Sequence, residues 1–164
     1  MKAIVQEKYG SSDELKLREV DKPVAGDDDV LVQVRAASVH PDVWHMVSGR
    51  PAVLRLMGAG LFKPNNPIPG TDMAGVVRSV GKNVKQYRPG DEVFGETFVA
   101  NQWRNGGAYA EYVSVPQECL ALKPDTVTFE QAASVPTSGF IALLNLRGAR
   151  QAFPGQKVLV NGAG

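Results

Sequence analysis

The sequence predicts a mainly β fold with an α/β extension at its C-terminal end. Three observations carry this. The first two-thirds is a series of short alternating runs separated by turn-forming residues. Near Pro124 the pattern switches to helical spacing. The last residues form an apolar run, Lys157-Val158-Leu159-Val160, that opens into the glycine-rich Asn161-Gly162-Ala163-Gly164.

Residues Lys2 to Glu7 and Leu15 to Val20 alternate as two strands, with Tyr9-Gly10-Ser11-Ser12 turning between them. Asp29 to Ala37 is the clearest strand: Val30, Val32 and Val34 face one way, Gln33 and Arg35 the other. A short helix is expected from Pro41 to Val47, because proline suits a first helical position. Leu54 to Phe62 is an apolar stretch that reads equally as a flap over a cleft or as a surface helix. Further strands are expected at Met73 to Val80, Glu92 to Phe94, Ala108 to Val115 and Cys119 to Leu122. Val80-Gly81-Lys82-Asn83 and Arg88-Pro89-Gly90-Asp91 supply turns among them. Many short strands with regular turns point to a small barrel or sandwich.

Beyond Pro124, Thr128 and Gln131 sit at the two positions of a capping box. A second helix is expected from about Thr137 to Arg147, with Phe140, Ile141, Leu143, Leu144 and Leu146 over a broad face. Residues 157 to 160 then read as a buried parallel strand, which cannot be stable as a sheet by itself.

The chain has 164 residues, 43% of them hydrophobic, and a formal net charge of +1 with both signs interspersed. That balance gives no nucleic-acid face and no acidic tail. No apolar run approaches the roughly 20 residues of a membrane span, and the N-terminus does not read as a signal peptide. A cytoplasmic protein is the default expectation. The single cysteine, Cys119, cannot form an internal disulfide or a multi-cysteine zinc knot. It reads as a small residue beside or within a strand.

The strand followed by Gly162 and Gly164 looks like the opening of a dinucleotide fingerprint, in which glycines let backbone N–H groups approach a pyrophosphate. A plain strand-end turn would read much the same. The ordered motifs add more. Gly70-Thr71-Asp72-Met73-Ala74-Gly75-Val76-Val77, Val80-Gly81-Lys82-Asn83-Val84, Arg88-Pro89-Gly90-Asp91-Glu92-Val93-Phe94-Gly95, Gly107-Ala108-Tyr109-Ala110-Glu111-Tyr112 and Pro154-Gly155-Gln156-Lys157-Val158 follow one another in sequence. With these the chain resembles the medium-chain dehydrogenase/reductase superfamily over its whole length, and within it the quinone oxidoreductase group and related zinc-independent enzymes. The resemblance implies a GroES-like barrel at residues 1–125. Residues 126–164 would be interdomain helices and the first strand of a Rossmann domain.

It also implies a function: NAD(P)H-dependent reduction of quinones, enones or related carbonyl compounds by hydride transfer. NADP is expected, with NAD as the other option, and the substrate is a small carbonyl compound or quinone. The full-length form is expected to be a homodimer. Because the fingerprint stops at Gly164, the native enzyme is expected to be longer, and this length alone to hold the cofactor weakly and to be inactive.

No zinc is expected. Zinc-dependent relatives carry a Cys where this chain has His40, and Gly-His-Glu where it has Gly70-Thr71-Asp72. Around Val135-Pro136-Thr137 there is no Cys or Asp for a third ligand. A neutral hydroxyl such as that of Thr71 competes badly with imidazole and thiolate. By resemblance His40, Trp44 and His45 line the nicotinamide and substrate cleft, and His45 relays protons to solvent. Zinc-free relatives usually have Asn at the His40 position, a departure that bears on any role borrowed for it. The bland alternative is a helix cap at His40 and core packing by Trp44. Thr137 is placed against the nicotinamide or its ribose, or as a helix cap, and Gly162 and Gly164 at the pyrophosphate. Two other functions stay open: a zinc-dependent alcohol dehydrogenase using His40 and Asp72, and a non-enzymatic interaction module.

Overall fold

A computed structural model describes residues 1–99, 102–103, 107–147 and 151–161. Strand β3 (Asp29–Ala37) is central. It pairs with β4 (Asp72–Val80) on one side and β8 (Tyr112–Pro116) on the other. β5 (Glu92–Glu96) and the three-residue β9 (Leu120–Leu122) complete an antiparallel sheet in the order β8-β3-β4-β5-β9. β1 (Lys2–Gln6) and β2 (Leu15–Glu19) form a separate hairpin. It joins the sheet's neighbourhood through one bridge, Ala3 to Ala110. A further short pair, β6 (Phe98–Val99) and β7 (Gln102–Trp103), follows β5.

The alternation seen in the sequence produces the core. Val30 and Val32 of β3, Met73 and Val77 of β4, Val93 of β5 and Val113 and Val115 of β8 share one buried cluster. Tyr87 enters this cluster and donates its hydroxyl to the Leu120 carbonyl, so its polar end is satisfied where it is buried. The other face is narrower. Ala36, Ala74 and Phe94 receive Ala132 and Ala133 of helix α2 (Phe129–Ala133). Small side chains on both surfaces let α2 lie close to the sheet. Thr128 and Gln131 close the capping box as expected: Thr128 N–H donates to Gln131 Oε1 at 2.9 Å, and Gln131 N–H to Thr128 Oγ1 at 3.2 Å. The nearly buried Lys123 ammonium ties this corner together, at 2.9 Å from Glu92 and 2.9 Å from the Val127 carbonyl.

Four expectations need correction. The strands do not close into a barrel. The two edge strands, β8 and the three-residue β9, do not pair with each other, so the sheet stays open. The strand expected from Ala108 begins at Tyr112, because the preceding backbone leaves the sheet to bond Gly70, Pro69 and β1. Cys119 lies in a 3₁₀ turn, Gln117–Cys119, rather than in β9, and packs against the core. Residues 157–160 form no strand, and Leu159 is 92% exposed. A parallel strand is held only by neighbours on both sides, and none is present among the described residues. Gly162 and Gly164 lie outside the described residues.

Helix α3 (Pro136–Arg147) buries none of its residues, so the apolar face made by Phe140, Ile141, Leu143 and Leu144 is open. Among the described residues no helix is long and apolar enough to cross a membrane.

Gly75 sits where β4 crosses closest to β3. A Cβ there would come 2.2 Å from the Gln33 carbonyl oxygen, which is fixed by the sheet. Gly75→Ala is therefore expected to cost about 1–3 kcal/mol through strand displacement. Urea unfolding checks it: the midpoint should fall while the slope stays constant.

Candidate active site

The site is built at the end of the sheet where β4 begins, β5 ends and helix α1 (Pro41–Ser48) crosses. α1 starts at Pro41, and His40 caps it: its Nδ1 accepts the Asp42 N–H at 3.2 Å. Gly49 ends it with φ of 63°, a left-handed conformation that favours glycine. This orients His45 and Met46 to one side and Trp44 to another.

A cavity of about 210 Å³ lies against Asp42, His45 and Met46 of α1, Leu54, Thr71, Glu96 and Thr137. Of the residues the sequence singles out, His45 and Thr137 line it. His45 Nδ1 is 3.0 Å from the Arg50 carbonyl. A carbonyl only accepts, so Nδ1 carries the proton and Nε2 of the neutral ring is the acceptor. His40 is at the helix cap and is not among the lining residues. Trp44 is 58% exposed, which corrects the core alternative for it. It borders a different depression with Tyr9, Ser48, Arg50 and Arg55. Leu54 touches the cavity, whereas Leu56, Met57, Leu61 and Phe62 of the following stretch face solvent. That stretch is a π-helical turn at Arg55–Ala59, held by the Tyr9 hydroxyl on the Ala59 and Gly60 carbonyls.

Sequence reasoning weighed Asp72 only as a metal ligand and passed over Glu96. Asp72 is 1% exposed. A buried carboxylate needs donors, and Thr137 supplies two: its N–H bonds Oδ2 at 3.0 Å and its hydroxyl bonds Oδ1 at 2.6 Å. Asp72 thus takes the place of an N-terminal cap for α3, where the helix dipole also favours negative charge. Glu96 is the direct cross-strand partner of Asp72. Directly opposed residues in an antiparallel pair hold their Cβ atoms about 4.5–5.5 Å apart on the same face. The two carboxyls are neighbours in unequal surroundings. Burial first, then the charges of Asp72 and Asp42, push the Glu96 carboxyl above its ordinary range. Burial, then Asp72, does the same to the Tyr109 phenol, whose hydroxyl donates to the Ser38 carbonyl at 3.0 Å.

Thr71 is fixed by its backbone. Its carbonyl accepts from the Thr97 N–H at 2.7 Å and from the Thr97 hydroxyl at 3.0 Å. Its own hydroxyl is buried without a hydrogen-bond partner. An orphaned donor and acceptor beside a cavity is a place for a polar ligand atom.

A family of known domains matches this architecture. The alcohol dehydrogenase GroES-like domain covers residues 26–125. The chain belongs to that family. It is quinone oxidoreductase-like within the medium-chain dehydrogenase/reductase superfamily. It is 38% identical over 145 residues to the chloroplastic NADPH-dependent alkenal/one oxidoreductase of Arabidopsis thaliana, covering 83% of this chain and 34% of the relative. It is 32% identical to the quinone oxidoreductase of Sus scrofa, covering 99% of this chain and 46% of the relative. The quinone oxidoreductase structure from Coxiella burnetii superposes with a TM-score of 0.77 at 30% identity, over 93% of this chain and 46% of that one. The chain therefore spans less than half the length of these relatives. The GroES-like match holds every cavity residue except Thr137, which reaches in from α3.

Two outcomes follow from the carboxyl pair. Asp72→Asn, which neutralises the acceptor of both Thr137 bonds, is expected to cost the start of α3 about 1.5–3 kcal/mol of local stability. Amide exchange at Thr137 and through the first turn should speed accordingly. The second concerns pH. Glu96 has a folded pKa above its unfolded value, so between the two the native state binds more protons than the unfolded state. Stability should fall as pH rises above the unfolded value of about 4.3 and through the folded one. Glu96→Gln should flatten that part of the stability profile, as read by denaturation at several pH values.

Proposed function

We propose that this chain forms the substrate side of an NADPH-dependent oxidoreductase that reduces quinones or α,β-unsaturated carbonyl compounds. The observation that carries this is the cavity of about 210 Å³ with the orphaned Thr71 hydroxyl at its wall. Met46 and Leu54 give it apolar surface, and Thr71 and Thr137 give it hydroxyls, the mixture that a small carbonyl compound needs. The named activities of the relatives, alkenal/one and quinone reduction, fit that chemistry.

The nicotinamide would supply the hydride. Thr137, with Gly162 and Gly164, would hold the cofactor, and the pairing of Thr137 with Asp72 would fix its position. His45 would pass protons between the cavity and solvent through Nε2. His40 would act by starting α1, and so by aiming His45. Trp44 would border the entrance from the outer side of α1. The whole protein would work as a homodimer, as the resemblance implies, and in the cytoplasm.

The zinc-dependent alternative fits the residues poorly. Both Asp72 oxygens already accept from Thr137, and His40 Nδ1 already accepts from Asp42. Among the described residues no three His, Cys, Asp or Glu side chains gather in one place.

Amide resonances of the chain, titrated with an enone, a quinone and zinc in turn, test the reading. The enone and the quinone should shift His45, Thr71, Glu96 and Thr137 together, and zinc should leave His40 and Asp72 in place. Shifts confined to other surfaces, or a stoichiometric zinc shift at His40 and Asp72, would overturn it.

A further inference from the structure

We propose that Glu96 is the acid that delivers a proton to the α-carbon of an unsaturated carbonyl substrate in this cavity. The inference rests on the functional reading above and adds the proton donor to it.

Three observations converge on Glu96. It lines the cavity together with Thr71, which is only 4% exposed and whose hydroxyl is buried and unpartnered. It stands directly across the strand pair from Asp72. And the two carboxyls have divided their roles. Asp72 spends both oxygens accepting from Thr137. Nothing among the described residues donates to the Glu96 carboxyl. A neighbouring negative charge raises the cost of ionising a carboxyl, and Glu96, without donors, has nothing to offset it.

The other groups facing Glu96 favour the same state. Asp42 on α1 adds negative charge, and burial penalises ionisation further. The Tyr109 phenol points its hydroxyl at Ser38, away from this role. His45 is the one basic side chain among the lining residues.

The chemistry balances. The β-carbon of the enone accepts the hydride, and the C=C electron pair moves to give an enolate. The Glu96 O–H bond breaks and its proton forms the new C–H bond at the α-carbon. The products are the saturated ketone, the oxidised nicotinamide and the Glu96 carboxylate, which regains a proton from water. Quinones differ in one respect. Their reduction leaves charge on oxygen, which water protonates without a positioned acid. Protonation at carbon is the step that gains from one.

That contrast supplies the test. The whole protein and its Glu96→Gln variant are compared with NADPH and either 3-penten-2-one or 1,4-benzoquinone. Glu96→Gln should lower kcat on the enone by about 100-fold or more, and should lower quinone reduction by a much smaller factor. Equal losses on both acceptors, or no loss on the enone, would overturn the proposal and leave the functional reading standing. A whole protein that oxidises NADPH with neither acceptor would overturn both. The cofactor-free chain gives an independent readout. Its infrared spectrum, followed as pH rises, should show a protonated carboxyl band that outlasts the ionisation of free glutamate and that Glu96→Gln removes. Absence of that band would overturn the proposal by itself. Glu96→Gln preserves the side-chain shape, so it is expected to fold.

Discussion

The Asp72 carboxylate is the point on which the sheet, the last helix and the cavity all depend. Leaving a buried charge unpaired costs several kcal/mol. That cost is avoided only if Thr137 comes to it, and the two bonds from Thr137 bring the start of α3 with them. The carbonyl of the same residue accepts the Ser38 N–H, which holds the chain leading into α1. One residue at the start of β4 thereby sets two of the three walls of the site. Glu96, across the ladder, is then left beside a fixed negative charge with no donor of its own.

The polar pieces around the cavity are arranged by backbone rather than by side-chain networks. Thr71 is anchored through its carbonyl, His45 through the carbonyl of Arg50, and α1 through the His40 cap. Such anchoring leaves functional atoms uncommitted: the Thr71 hydroxyl, His45 Nε2 and the Glu96 carboxyl. Rigid supports with free terminal atoms are what a small site needs if it is to align a substrate without reorganising. The mixture also accounts for the weak case for zinc, since the atoms nearest to a ligand set are already engaged.

Local chemistry was legible in the sequence and distant pairing was not. The capping box at Thr128 and Gln131, the α1 start at Pro41 and the alternation of β3 are decided within a few residues, and each formed as the pattern implied. The motif around Gly70-Thr71-Asp72 marked the right place, yet it was weighed only as a ligand position. Asp72 and Thr137 are 65 residues apart, and no periodicity announces their bond. The signal available was a charged residue opening an otherwise apolar strand, Asp72 before Met73-Ala74-Gly75-Val76-Val77. Glu96 looked like an ordinary strand-end polar residue, because its partner across the ladder cannot be read from its own neighbours. Trp44 shows the opposite limit: resemblance implies the cleft and size alone implies core, but α1 turns it outward, to a different depression. Residues 157–160 show a third limit, since an apolar run becomes a parallel strand only when neighbours exist to pair with it.

The attachment of α3 has a mechanical side. The helix is held at its first turn and buries no side chain along its 12 residues. The two bonds at Thr137 set the direction in which α3 leaves the sheet, and at about 1.5 Å per residue its 12 residues carry that direction roughly 18 Å from the site.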